Sequence, residues 1–329
     1  MGATAASSVS GNTLVARKMA TQDLEECLGV HTGHIGREIV GHERALSAWR
    51  ALVKSASFSS AVIETGEPIA GHRIVAFGAS AFVSPDFAHQ EISNPKPGLN
   101  GRVIASIDAG RPVVLNEAEV RSQNTHGGLC QVVLFSTWRR QCLTPEQVTQ
   151  VQVTLAKTYV NVYSGYRLER MLFEAVDAIE LEDIRSTKVW QVVSDYADFH
   201  TQNPQNDWSR KRSLAVIEKV NALSITGSVA FMFFYYTPPV LRFKHGDQQL
   251  LAAAVDGLTD HELADALGLN VQTVKKRWAS VFDQVGEVMP SLLPESDYTT
   301  DRRTRGPQKR HHLLAYIRRH PEELRPFIR

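Results

Sequence analysis

The chain has 329 residues, 43% hydrophobic and 22% charged, and its 36 Lys/Arg balance 35 Asp/Glu to a formal charge of +1. That composition suits a globular protein of about two domains and excludes a wholly disordered or polycationic chain, so any nucleic-acid surface must be local. Its three cysteines, Cys27, Cys130 and Cys142, form no CxxC pair and cannot close a disulfide framework, which fits a reducing, cytoplasmic setting.

Residues 1–22 are small and polar, without the apolar core of a signal peptide, and read as a flexible tail. A helical pattern follows over 23–54, then two β-rich runs, Ala61–Thr65 and Arg73–Val83, that read as a hairpin. Residues 84–110 read as loop, with NPKPGLNG (94–101) as the main turn cluster, and PGLNG (97–101) is too short to cradle a phosphate. Short strands are expected at 112–115 and 131–135. Thr144 with Gln147 has the form of a capping box, opening a helix expected to run to about Ala178 with a break near Gly165. A helix over 186–198, a polar linker over 200–212, and strands at 213–218 and 228–236 complete the reading. The apolar run VAFMFFYY (229–236) is too short for a bilayer span and its composition suits a strand, so no membrane contact is expected. Pro238-Pro239 closes the β pattern. The expected fold class is α+β: a mixed α/β sensory or assembly domain over 23–236, an all-α domain over 240–290, and a basic extension over 291–329.

The all-α segment carries the clearest punctuation. A helix from about Asp247 to Val255 stops at Gly257, where a positive φ is available. Thr259 and Glu262 form a capping box for a second helix with Leu263, Ala264 and Leu267 on its inner face; Gly268 ends it, Leu269 is the buried turn residue, and Asn270 caps a third helix, 271–285. Two helices joined by a short Gly-containing turn make a helix-turn-helix. Unrolled at 100° per residue, the third helix places Val274, Trp278, Val281 and Val285 on one stripe, its core face. The opposite side shows Gln272, Lys275, Lys276, Ala279 and Ser280, with Thr273 and Arg277 on the flanks and no acid before Asp283. Lys and Gln can read base edges, and Thr and Arg can hold phosphate, so this face suits a major groove.

Leu258, Thr259, Glu262, Leu263, Ala264, Leu267, Gly268, Leu269, Asn270, Thr273, Val274 and Lys275 stand in the spacing of the LuxR-type (NarL/FixJ-like) DNA-binding domain, which this segment resembles over about forty-five residues. The resemblance implies that Lys275, Lys276 and Ala279 face bases and that Thr273 lies nearer the backbone. Arg277, Trp278 and Val271 depart from the family's usual residues, its fourth helix is not evident after Gly286, and sigma-factor region 4 shares much of the pattern. Residues 301–329 add nine Lys/Arg against three acids, a basic arm suited to a DNA reader, with Leu313, Leu314, Ile317 and Leu324 forming a short amphipathic helix.

Elsewhere the chemistry is sparse. His31 and His34 lack a third ligand, Cys130 reads as a buried small hydrophobe, and Glu180 and Glu182 read as solvated acids. There is no GxSxG, HExxH, GxGxxG or Walker-type loop, so no catalytic residue, metal or cofactor is assigned and no enzymatic activity is expected. The helix and hairpin with AVIET and RIVAFGASAFV loosely resemble an N-acetyltransferase core, although the Arg/Gln-x-x-Gly-x-Gly/Ala loop that grips acyl-CoA is missing. GRVIASIDAGRPVVLNE is loosely similar to GAF sensor domains. The leading expectation is a cytoplasmic transcriptional regulator that binds double-stranded DNA through helix 271–285. A small-molecule effector at the N-terminal domain and a homodimer are its other expected partners. The alternatives are an acyltransferase-like enzyme with an accessory helix-turn-helix module, and a sigma-factor-like protein.

Overall fold

The computed structural model describes residues 14–31, 35–205, 211–293 and 302–328. They divide into two compact units, one drawn from Met1–Glu117, Cys130–Val162 and Glu169–Ala230, the other from Ala118–Leu129, Tyr163–Leu168 and Phe231–Arg329.

The first unit is built on a seven-stranded sheet. Its strands are β1 (Leu14–Arg17), β2 (Phe58–Ile69), β3 (His72–Val83), β4 (Leu129–Trp138), β5 (Leu168–Ala175), β6 (Gln191–Ser194) and β7 (Ser213–Glu218), in the spatial order β1-β2-β3-β4-β5-β7-β6. The pairs β1–β2, β2–β3, β3–β4, β5–β7 and β6–β7 are antiparallel. Helices in chain order are α1 (Leu24–Leu28), α2 (Arg37–Val40), α3 (His42–Leu52), α4 (Pro85–Ser93), α5 (Leu99–Asp108), α6 (Glu117–Thr125), α7 (Pro145–Tyr163), α8 (Ala178–Ser186), α9 (Ala197–Gln202), α10 (Lys219–Ser224) and α11 (Val229–Phe234). The long helix α7 makes the crossover from β4 to its neighbour β5.

The expected hairpin forms because Ala70 and Gly71 both take positive φ (50° and 82°) between the paired residues Ile69 and His72, the two-residue turn whose twist matches the strands. One sheet face packs α1, α3 and α5 around Trp49, Phe77 and Phe135; the other buries Val75, Ala76 and Trp138 against Val151 and Leu155 of α7. In β4, alternation breaks at one point. Ala79 of β3 faces Phe135 while Ser80 faces Val133, leaving Leu134 as the extra residue of a bulge. Cys130, Val132 and Leu134 point to the first face by period two, and the bulge then sends Phe135 to that face as well.

Several expectations change here. Within the expected tail 1–22, Leu14–Arg17 is an edge strand; residues 1–13 lie outside the described residues. The expected loop 84–110 holds α4 and α5: Pro85 sits in the first turn with Ser84 as cap (Phe87 N–H to Ser84 Oγ, 3.3 Å), so its Pro and Gly are helix-start punctuation. The strand at 112–115 reduces to a single bridge, Val83 to Val114. LERMLFEA is the strand β5 although its residues favour helix, because near-continuous burial in mid-sheet overrides propensity. The helix expected over 186–198 is replaced by the end of α8, β6 and the start of α9. VAFMFF forms α11 instead of a strand: Phe231 and Tyr235, four apart, stack at 5.7 Å, and the Tyr235 N–H just past the helix donates to the Phe231 carbonyl at 2.9 Å.

The second unit contains α6 from Ala118 on, α11 from Phe231 on, α12 (His245–Val255), α13 (Asp260–Leu267), α14 (Val271–Val288) and α15 (Arg302–Arg319). The Thr259–Glu262 capping box, left-handed Gly268 and the Asn270 cap are all present. Val274, Trp278, Val281 and Val285 are buried with Leu250, Leu251, Leu263 and Ala264; Leu269, expected buried, is half-buried. The basic extension 291–329 is not a loose arm over its described residues. Leu313, Leu314 and Ile317 of α15 complete this core, Arg310 lies 4.2 Å over the Trp278 ring and pairs with Asp260 at 2.7 Å, and Arg318 donates to the Val255 carbonyl. The unit also takes in residues the sequence assigned to 23–236: Asn124 of α6 bridges the Pro326 carbonyl and the Arg167 N–H, and Arg325 donates to the Ser164 carbonyl. Among the described residues, no helix is long and apolar enough to cross a membrane.

Candidate functional site

The residues singled out on α14 separate into two groups. Gln272, Lys275, Lys276 and Ala279 are exposed. Thr273, Arg277 and Ser280 are half-buried: the Thr273 hydroxyl donates to the Asn270 cap at 3.0 Å and Arg277 donates to the Gly246 carbonyl at 3.0 Å, so these two hold the helix start and α12. His31 lies 3.2 Å from Asp177, and His34 lies outside the described residues. Among the described residues, no group of three or more His, Cys, Asp or Glu could hold a metal ion. Glu180, expected to be solvated, is buried and accepts the Val176 N–H at 3.0 Å.

The chemistry that converges is in the first unit, at the seam between β4 and β5. The first turn of α5 straddles it. Gly98, left-handed at φ 94°, turns its own N–H and that of Leu99 onto the two oxygens of Glu174 near the end of β5, at 2.6 and 3.2 Å. One residue later, Asn100 Nδ2 donates to the Leu134 carbonyl at the β4 bulge, at 2.8 Å. From the opposite face, the Tyr159 hydroxyl of α7 donates to the Phe135 carbonyl at 3.2 Å. Tyr159 can lie there because β3 has Gly78 beneath it; a Cβ at that position would meet the ring at 2.9 Å.

Glu174 is fully buried and takes two more donors, Tyr196 OH at 2.9 Å and Arg212 Nη1 at 2.8 Å; Arg212 Nη2 continues to Glu38 of α2 at 2.8 Å. Four donors saturate this carboxylate, so it acts as a fixed internal anion at the positive end of α5 and not as a base. Burial, reinforced by the adjacent Glu174 charge, pushes the Tyr196 hydroxyl far up and keeps it protonated. Arg102 pairs with Glu91 beside this node; burial opposes its charge, but Glu91 holds its pKa above the usual value. The arrangement is a stiff polar hinge under a strand bulge whose two carbonyls are held by side chains from either face.

No spacing in the chain marks these residues as a site: PGLNG reads as a turn, and the other signal is an acid, Glu174, in the largely apolar run MLFEA.

No protein-family model and no curated protein sequence matches the chain. Among solved structures, it is similar to FeeM, an N-acyl amino acid synthase from uncultured soil microbes, at 10% identity and TM-score 0.34, over 63% of this chain and 92% of that one. It is similar to a mosquito arylalkylamine N-acetyltransferase like 5b at 12% identity and TM-score 0.36, over 63% and 100%. A Drosophila melanogaster polyamine N-acetyltransferase aligns at 14% identity and TM-score 0.36, again over 63% and 100%. None of these neighbours is a transcriptional regulator, and the expectation of one without enzymatic activity is withdrawn.

Proposed function

We propose that the chain is an N-acyltransferase-like enzyme whose second unit is an accessory helix-turn-helix module. The reaction is attack of an amine nitrogen on a thioester carbonyl: the C–N bond forms, the C–S bond breaks, and the amine proton leaves with the thiol. The observation that carries this reading is the β4 bulge at the seam. Between β4 and β5 the chain crosses over through α7, so the two antiparallel parts of the sheet meet at this one seam. At that point, the Leu134 and Phe135 carbonyls are held by the side chains of Asn100 and Tyr159. Side-chain donors can give way to the amide N–H groups of an extended thioester arm, which would donate to the same two carbonyls. The test is thiol release from short- and long-chain acyl thioesters with a panel of amines, with the amide product identified by mass. Amide formation that depends on the protein supports the reading; no product from any donor–amine pair refutes it.

For the accessory module, a LuxR-type unit acting in the cytoplasm, the partner we propose is duplex DNA, supported by the exposed Gln272, Lys275 and Lys276 on α14. Lys275→Ala/Lys276→Ala should weaken duplex binding and lower its salt dependence by about two ions. Equal binding with an unchanged salt slope excludes that face.

A further inference from the structure

Acyltransferase chemistry of this kind invites coenzyme A as donor, and its diphosphate needs a cluster of free backbone N–H groups, which a helix N-terminus supplies best. At three helix N-termini of the first unit, the chain's own oxygens engage leading N–H groups. At α5 the Gly98 and Leu99 N–H groups are held by Glu174. At α8 the Ile179 and Glu180 N–H groups donate to Asp177 Oδ1, at 2.9 and 2.8 Å. At α7, Pro145 has no N–H, the Gln147 N–H donates to Thr144 Oγ1 at 3.3 Å, the Gln147 side chain takes the Thr144 N–H at 3.0 Å, and Glu146 adds a negative charge to the first turn.

The segment leading into α7, RRQCLT, has no glycine to bring backbone close to a phosphate. Its two cations are already committed. Arg139 Nε donates to the Ile74 carbonyl at 3.0 Å; Arg140 pairs with Asp183 at 2.6 Å and lies 4.6 Å over the Trp138 ring. These described residues do not fit a diphosphate.

We infer that the donor is a thioester recognised through its acyl and amide-bearing arm alone, with no contribution from a nucleotide diphosphate. The inference rests on the acyltransferase reading and narrows its donor class. The test compares kcat/KM for S-acetyl-pantetheine and acetyl-CoA on the full chain, with calorimetric binding of pantetheine and coenzyme A alongside. The two donors should agree within about threefold, adenosine 3′,5′-bisphosphate should not inhibit, and Arg140→Ala should leave the donor ratio unchanged. An acetyl-CoA preference of ~100-fold or more, the effect of two charge-assisted hydrogen bonds to phosphate, overturns the inference and leaves the acyltransferase reading standing. If neither donor reacts and neither arm binds, both fall.

Discussion

Glu174→Gln tests the hinge directly. The wild-type carboxylate accepts from Gly98 N–H, Leu99 N–H, Tyr196 OH and Arg212. Glutamine keeps the shape but offers one acceptor oxygen and two N–H donors. Tyr196 can rotate its hydroxyl to accept, but one buried backbone N–H of α5 then faces another N–H, and Arg212 loses half of its charge pairing. An orphaned buried donor costs about 1–3 kcal/mol, and removing one member of a buried pair about 3–5 kcal/mol. These costs overlap, so the expected loss is about 3–5 kcal/mol. At about 2–4 °C per kcal/mol for a unit of this size, melting of the first unit should fall by roughly 10 °C. Urea unfolding followed by circular dichroism gives the free energy, and calorimetry gives the melting shift. A cycle with Arg212→Met should show coupling, because the second change removes the charge that the first leaves stranded. A Glu174→Gln protein within about 1 kcal/mol of the parent would refute the saturated-anion account of the node.

Three further outcomes follow from named contacts. In Gly165→Ala, the new Cβ meets the Glu322 backbone and the residue must hold φ 83°; a loss of about 2–4 kcal/mol confined to the second unit is expected in urea unfolding. Burial pushes the Cys130 thiol up to about 11 and raises Cys27 as well, while Cys142 is half-exposed. Peptide mapping after brief iodoacetamide treatment at pH 8 should therefore find Cys142 modified first, since only ~0.1% of Cys130 is thiolate there. The Arg17 guanidinium, 2.6 Å away, holds the Asp23 carboxyl below its usual range against an opposing effect of burial. The folded state thus binds that proton less readily than the unfolded chain. The pair's contribution is fully present above the unfolded value of about 3.9 and fades as pH falls through the depressed folded value. Asp23→Asn should flatten the stability–pH curve below about pH 4.

Where local punctuation decides an element, the sequence is legible. The β2–β3 hairpin, the Thr144–Gln147 box of α7, and the Thr259, Gly268 and Asn270 caps around α13 and α14 stand where side chain and backbone chemistry place them. It misleads where packing outweighs composition. Residues of β5 favour helix but are buried in mid-sheet, and the aromatics of α11 favour strand but pair four apart. The site stays hidden for a different reason. Gly98, Glu174, Tyr196 and Arg212 meet only through the sheet order, so no spacing in the chain announces them, and Leu134 becomes special only when Ala79 and Ser80 fix the register against β4.

On the proposed acyl-transfer reading, that geometry would tie stability to ligand entry. The first turn of α5 grips β5 through Glu174 and β4 through Asn100, so it sets how the two strands stand at the seam. A donor arm as proposed would take over the Leu134 carbonyl, which would free the Asn100 amide but leave the Glu174 anchor intact. The two ends of the turn should therefore separate in their effects. Asn100→Leu removes one hydrogen bond that an arriving arm displaces in any case, and it should cost about 1 kcal/mol of stability while changing KM more than kcat. Tyr159→Phe probes the opposite face in the same way, and Gly78→Ala, which pushes the Tyr159 ring off the sheet, should reproduce its effect without touching the hydroxyl. If Tyr159→Phe and Gly78→Ala differ in donor KM while both keep the parent fold, the ring, and not its hydrogen bond to Phe135, is what the ligand meets.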